Sequence, residues 1–413
     1  MTRVTHIKLV PALFMGLTSS YASAAGFQLL EQNASGLGNA YAGSAAVTEN
    51  ASIIFYNPAG MTQLKAREFS AGLTAVGTSF KFSDNGSSVG LLAGSGNGGD
   101  AGSWGFIPNG YLSWALNKDL YVGVGFGAPF GLKTEYDNPW LGAAQSTSFD
   151  IKTYNINPSI AYRVNEMVSL GAGLNWQRLT AEYKRQLAVN TPTNVALPLT
   201  LNLDDDSWGW NVGALLNLDR ASKLGVSYRS AIRYDLSGDI NVAGSSSAAK
   251  ANLKLPDVFI LSGTQQLSDK WQMLGDVSWT GWSNIPKLDV LRASGAVAQT
   301  LDTDFRDTWR VALGASYQYT EALKLKFGIA YDQTPVKSEA TRLVSLPDND
   351  RTWLSFGTQW KPRNGSTVDF GIAYLYIPDA KIDNNQTTAG RGRVTGTYNN
   401  SAWILGAQYS LAF

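Results

Sequence analysis

Any chemistry in this chain has to come from carboxylates, lysines and arginines, because its 413 residues contain no cysteine and a single histidine, His6. Without those residue types it cannot build a Ser-His-Asp or Cys-His nucleophile pair, an imidazole base or a zinc site of the usual ligands. The one acidic run, Asp204-Asp205-Asp206, lacks the spaced oxygen ligands of a calcium loop and reads as a solvated loop or strand rim. No metal or other cofactor is expected, and an enzyme acting on lipid is the weakest reading of the chain. Lys and Arg number 33 against 32 Asp and Glu, a balance that offers no basic surface for nucleic acid.

The elements that would position binding groups are strands. In Leu323-Lys324-Leu325-Lys326-Phe327-Gly328-Ile329-Ala330-Tyr331-Asp332, the residues Leu323, Leu325, Phe327, Ile329 and Tyr331 share one face, and Lys324, Lys326 and Asp332 the other. A period of two means a strand. The apolar face carries rings and the opposite face carries charge separated by small residues, the pattern of a strand with lipid outside and a polar lumen inside. Trp271 to Thr280 and Trp403 to Phe413 alternate in the same way, with aromatic residues near both strand ends. With 13 Trp and 18 Tyr, and no stretch after residue 24 long and apolar enough for a membrane helix, the chain reads as an outer-membrane barrel.

Residues 1–24 run from Arg3 and Lys8 through an apolar stretch to Ala22-Ser23-Ala24, the order of a cleaved secretory signal peptide. Beyond them, six tight polar turns (at Asn117, Arg163, Asp219, Ser268, Thr320 and Pro362) alternate with seven longer stretches, at 83–103, 134–147, 188–204, 241–251, 284–304, 334–350 and 378–391. That alternation predicts a 14-stranded antiparallel transmembrane β-barrel over residues 66–413, with the short turns periplasmic and the longer loops outside. A soluble sandwich predicts no such alternation. Residues 25–65 do not alternate. Their glycines, the Asn57-Pro58-Ala59-Gly60 turn and the apolar Ile53-Ile54-Phe55-Tyr56 favour a plug folded inside a lumen too wide for wall side chains to fill.

The stretches Ala25-Gly26-Phe27-Gln28-Leu29, Ser35-Gly36-Leu37-Gly38-Asn39-Ala40-Tyr41-Ala42-Gly43 and Asn57-Pro58-Ala59 resemble the N-terminal hatch of the FadL family of outer-membrane long-chain fatty-acid transporters. The resemblance continues through Trp208-Gly209-Trp210-Asn211-Val212-Gly213, Leu255-Pro256-Asp257, Trp279-Thr280-Gly281-Trp282-Ser283, Phe305-Arg306-Asp307-Thr308-Trp309-Arg310 and Pro347-Asp348-Asn349-Asp350-Arg351, so it spans essentially the whole mature chain.

The resemblance implies passive uptake in three steps. Loops capture an amphiphile, with Trp140 and Leu141 as candidates; it enters an apolar luminal pocket; a hatch rearrangement then releases it sideways through a kinked third strand. Arg185 falls where the family has a ligand-pairing arginine, with Arg178 and Lys184 beside it on the fifth strand, and Phe130 is a further candidate contact. A second basic partner of the family falls near Leu301, which is not basic; Arg292 is a possible substitute. Asn57, Pro58 and Ala59 are implied in hatch opening, with Asp332 and Arg351 tying the hatch down. Gly127, Pro129 and Gly131 would form the kink, since proline removes a ladder donor and glycine permits a bend. The expected partners are a long-chain fatty acid or other hydrophobic small molecule and the surrounding outer-membrane lipid, the protein acting as a monomer. A branch for aromatic hydrocarbons or other neutral hydrophobes is the alternative, which loss of the second basic partner would suit.

Overall fold

The computed structural model describes residues 26–189 and 195–413, so the expected signal peptide at 1–24 lies outside the described residues. Fourteen antiparallel strands form a closed barrel. They are β1 (Arg67–Asp84), β2 (Trp104–Ala115), β3 (Leu120–Gly127 and Gly131–Glu135), β4 (Ser148–Arg163), β5 (Val168–Val189), β6 (Val195–Asn217) and β7 (Ser222–Arg229 and Ile232–Val242). The second half comprises β8 (Ser245–Leu255 and Val258–Gln266), β9 (Trp271–Thr280), β10 (Thr308–Gln318), β11 (Leu323–Asp332), β12 (Arg351–Arg363), β13 (Ser366–Asn385) and β14 (Arg393–Ala412). Each strand pairs with the next, and β14 closes on β1 from Glu68↔Ala412 to Asp84↔Gly396. Closure gives every strand two neighbours, which a sheet in lipid requires.

The faces follow the alternation. On β11, Phe327, Ile329 and Tyr331 are 40, 49 and 47 % exposed, whereas Lys326, Ala330 and Asp332 are buried. On β14, Trp403, Leu405 and Tyr409 point out, and Ala402, Ile404 and Gln408 point in. The exposed side chains meet lipid; the buried ones meet the lumen.

Three of the expected long loops are mostly strand. β5 and β6 have 22 and 23 residues, well beyond the roughly 9–11 needed to cross a bilayer, and their ladder runs on to Val189↔Val195 through most of 188–204. In 241–251 the loop shrinks to Ala243-Gly244, both at positive φ, a two-residue hairpin turn. In 378–391, β13 continues to Asn385. The stretch 284–304 holds a hairpin, Lys287–Arg292 with Val297–Asp302, whose first strand also pairs with β8. Above the lipid both faces can be polar, so these strands lose the contrast by which alternation is read.

Residues 26–64 lie inside the ring of strands. Their only α-helix is α1 (Ile53–Tyr56), and 3-10 turns such as Pro58–Gln63 make up much of the rest. Glycines on the inner wall make room for them: an added Cβ at Gly328 would sit 2.1 Å from the Asn39 carbonyl carbon, and at Gly225 2.0 Å from the Ala45 oxygen. Above this segment, the upper lumen is a continuous apolar cluster that includes Phe130, Leu179, Tyr234, Trp282, Leu301 and Tyr398.

Candidate functional site

The wall is discontinuous at β3. β2 pairs with β1 along Trp104–Trp114, yet with β3 only from Gly110↔Phe126 to Ala115↔Tyr121. The second half of β3, Gly131–Glu135, pairs with β4 alone. The β3-facing edge of residues 104–109 therefore has no ladder partner among the described residues. Gly127 ends the first half of β3, Gly131 begins the second, and Pro129, which has no N–H, lies between them.

The N-terminal segment satisfies the backbone groups this break sets free. Leu29 N–H donates to the Pro129 carbonyl at 2.8 Å, and Gly131 N–H to the Phe27 carbonyl at 2.8 Å. The Gln32 side chain acts as a detached peptide unit: its Nε2 donates to the Ala128 carbonyl at 2.8 Å and its Oε1 accepts Ala128 N–H at 3.1 Å. An added Cβ at Gly127 would lie 2.3 Å from Gln32 Oε1, so glycine is needed there for the clamp to close. Phe130 N–H donates to Thr153 Oγ1 at 2.9 Å. Replacing Gln32 with leucine leaves both Ala128 groups unpaired at a cost of about 1–3 kcal/mol. Hydrogen exchange at residues 127–131 is then expected to quicken by about tenfold or more, as read by mass spectrometry of the folded barrel.

Beneath the break a cavity separates the N-terminal segment from the far wall. Pro129, Phe130, Leu29, Leu30, Phe55 and Ile260 give it an apolar side; Arg229, Asp276, Arg310 and Asp332 line the polar side. Phe130 is 5 % exposed and meets Phe27 and Trp282 edge-on at 6.0 and 6.2 Å.

Asn57, Pro58 and Ala59 pin the segment to β5 and β6. Asn57 Nδ2 donates to the Ala45 and Ala214 carbonyls at 2.8 and 2.9 Å, and its Oδ1 accepts Ala59 N–H at 3.1 Å, capping the turn Pro58–Gln63. The motif presses close enough to the wall that Gly171 and Gly213 have no room for a side chain. Asp332 and Arg351 are opposite one another in register and both buried. Arg351 is ion-paired with Asp348, and Asp348 in turn accepts Gly26 N–H at 2.8 Å and the Thr334 hydroxyl at 2.6 Å. Asp348 is thus one of the direct links that hold the N-terminal segment in place, and it stands within the Pro347–Arg351 motif.

The basic candidates separate by parity. Arg185 is on the inner face of β5 with Gln177, Leu179 and Tyr183, 7 % exposed, and its Nε donates to Gln299 Oε1 at 2.9 Å. Arg178 and Lys184 occupy even positions and face outward, ion-paired at 2.7 Å with Asp204 and Glu182 and 44 and 42 % exposed. They do not share a site with Arg185, because neighbours at odd and even positions point to opposite sides of a strand. Leu301 is packed in the apolar cluster, and Arg292 is exposed at the end of its hairpin strand.

A second cation beside Arg185 comes from a residue that sequence reasoning missed. Arg391, in the connection between β13 and β14, is 8 % exposed. Its Nη1 donates to Gln386 Oε1 at 2.9 Å, while its buried Nε has no partner. It is near enough to Arg185 for the two charges to repel, and burial holds the Arg391 guanidinium below its ordinary pKa. Neither arginine forms an ion pair among the described residues. Gln299 and Arg391 line a crevice open to the outside. Two buried guanidinium groups without a carboxylate have the charge and donors to pair with an anion.

Trp140 and Leu141, expected as exposed capture residues, are buried at 0 and 5 %. Trp140 stacks on Tyr136 at 3.9 Å, and its indole N–H donates to the Ser146 carbonyl at 2.9 Å. Their loop folds inward onto Phe82 and Tyr398, so they close the top of the lumen from within.

Residues 15–413 match the sequence profile of the family described as outer membrane protein transport protein (OMPP1/FadL/TodX). The chain is 33 % identical over 408 residues to outer membrane protein P1 of Haemophilus influenzae strain Rd, covering 88 % of each. It is 29 % identical to the long-chain fatty acid transport protein of Shigella flexneri, covering 97 % of each. The crystal structure of a Pseudomonas aeruginosa FadL homologue superposes with a TM-score of 0.88 at 24 % identity, covering 94 % of this chain and 99 % of that one. With the barrel geometry, these likenesses place the protein in the bacterial outer membrane as a transport protein. The chain belongs to the OMPP1/FadL/TodX family of outer-membrane transport proteins.

Proposed function

We propose that this protein takes up long-chain fatty acids by passive diffusion. The observation that carries the fatty-acid reading is the Arg185 and Arg391 pair, buried without a counter-ion above a continuous apolar lumen. A carboxylate entering through the crevice beside Gln299 would neutralise that pair while its chain lies among Leu179, Tyr183 and Leu301. The chain then reaches the cavity under Phe130. Residues 26–64 act as a hatch there, and once Phe27, Leu29 and Gln32 release the main chain of β3, the ligand leaves sideways between β2 and β3 into the lipid. Each step runs down a concentration gradient, and the residues above require no bound nucleotide.

The test is uptake of radiolabelled oleate by cells that lack their own transporter. Expression of this chain is expected to restore oleate uptake to well above the vector control, with little gain for toluene. Toluene uptake without oleate uptake would move the assignment to neutral aromatic hydrocarbons, since an uncharged ligand gains nothing from the arginine pair.

A further inference from the structure

Three cavities lie in series from the middle of the lumen to the periplasmic mouth. The one under Phe130 shares Tyr41, Ser44 and Tyr56 with a second, small cavity inside the N-terminal segment. The second shares Glu49 with an open crevice at the periplasmic turns, bounded by Glu321, Lys361 and Ser410. Only two thin partitions separate them.

The upper partition is a pair of rings. Tyr41 stacks on Tyr56 at 6.1 Å, and their hydroxyls donate to the Asn33 and Leu30 carbonyls at 2.9 and 2.7 Å. Ala40 and Tyr41 are consecutive non-glycine residues with φ of 48° and 57°, a left-handed conformation disfavoured for residues that carry a Cβ. Strain of this kind concentrates where a segment switches between arrangements. The lower partition is ionic. Glu49 bridges Lys324 at 2.6 Å and Lys326 at 2.8 Å, Lys326 also reaches Asp369 at 3.2 Å, and Gln359 donates to Glu49 at 3.1 Å.

The second cavity is lined differently from the ligand route above it. Asn33, Ser35, Asn39, Asn50 and Ser52 present amides and hydroxyls beside the apolar Val47 and Ile53, and Glu49 and Lys326 offset each other's charge. A lining with both donors and acceptors and no net charge suits water and small uncharged polyols.

We infer that the N-terminal segment contains a closed polar conduit for water and small uncharged hydrophilic solutes, running from the mid-lumen cavity to the periplasm and shut by Tyr41–Tyr56 above and Glu49–Lys324–Lys326 below. It branches from the lateral path at the cavity under Phe130 and does not depend on which amphiphile that path carries.

Two measurements test it. In the first, the purified barrel is placed in liposomes and glycerol permeation is followed by stopped-flow light scattering. The double variant Tyr56→Ala/Glu49→Gln is expected to pass glycerol an order of magnitude faster than the native chain, and a rate equal to the native one would overturn the conduit. The second leaves the rings in place. The chain has no cysteine of its own, so Ser52→Cys gives a single thiol in the second cavity. Adding Glu49→Gln is expected to speed its reaction with a small methanethiosulfonate reagent by an order of magnitude, and unchanged reactivity would remove the lower gate.

Discussion

Changing Pro129 and Gly131 together to valine is expected to cut oleate uptake by about tenfold or more while leaving the amount of folded barrel unchanged. Valine at 129 restores a backbone N–H, and β-branched residues at both positions favour extended pairing. The edge of β2 at 104–109 presents the donors and acceptors that a repaired β3 would take up. Two restored ladder bonds at about 1 kcal/mol each shift a closed-to-open equilibrium by roughly thirtyfold. The new pairing also competes with the bonds from Phe27 and Leu29, so the hatch would lose its hold on the strand. Uptake is measured with radiolabelled oleate, and folding by heat-modifiable migration in gels. A folded variant with native uptake would rule out the gap as the way out.

Where lipid imposed a contrast, the fold was legible. Phe327, Ile329 and Tyr331 against Lys326, Ala330 and Asp332 is a pattern that only a two-sided wall demands, and the barrel follows from it, while the strand number follows from short turns alternating with longer connections. Above the bilayer the contrast fades: Glu182 and Lys184 face outward on β5, and Asp204 and Asp206 do so on β6, so strand resembled loop. The same alternation, applied strictly, separates Arg185 from Arg178 and Lys184, because one odd position and two even ones cannot share a face. Trp140 shows the opposite difficulty. Its burial is set by Tyr136, Phe82 and Tyr398, partners brought together by tertiary folding and invisible to any local pattern. Gln32 and Arg391 lie in segments without periodicity and act on residues 96 and 206 positions away, so no spacing announces them.

Arg185→Ala and Arg391→Ala should each weaken oleate binding by about tenfold or more and leave binding of methyl oleate within roughly twofold. A hydrogen bond to a charged group contributes about 1.5–3 kcal/mol, which is the size of that loss, and the ester offers no negative charge to lose. If both guanidinium groups hold one carboxylate, the double variant should lose less than the sum of the two single losses, since either change already breaks the shared site. The unliganded barrel should respond in the opposite sense. Burial already disfavours each charged guanidinium and the two like charges repel, so removing one relieves both costs and is expected to raise the thermal midpoint even as ligand affinity falls. A purely structural arginine would behave otherwise: its loss would lower the midpoint and affect acid and ester alike. Calorimetry on the empty barrel, paired with titration of both ligands, therefore separates the two roles. Equal losses for oleate and its ester would remove the carboxylate from this site, and the neutral-hydrocarbon reading would then account better for an apolar lumen capped by two unpaired cations.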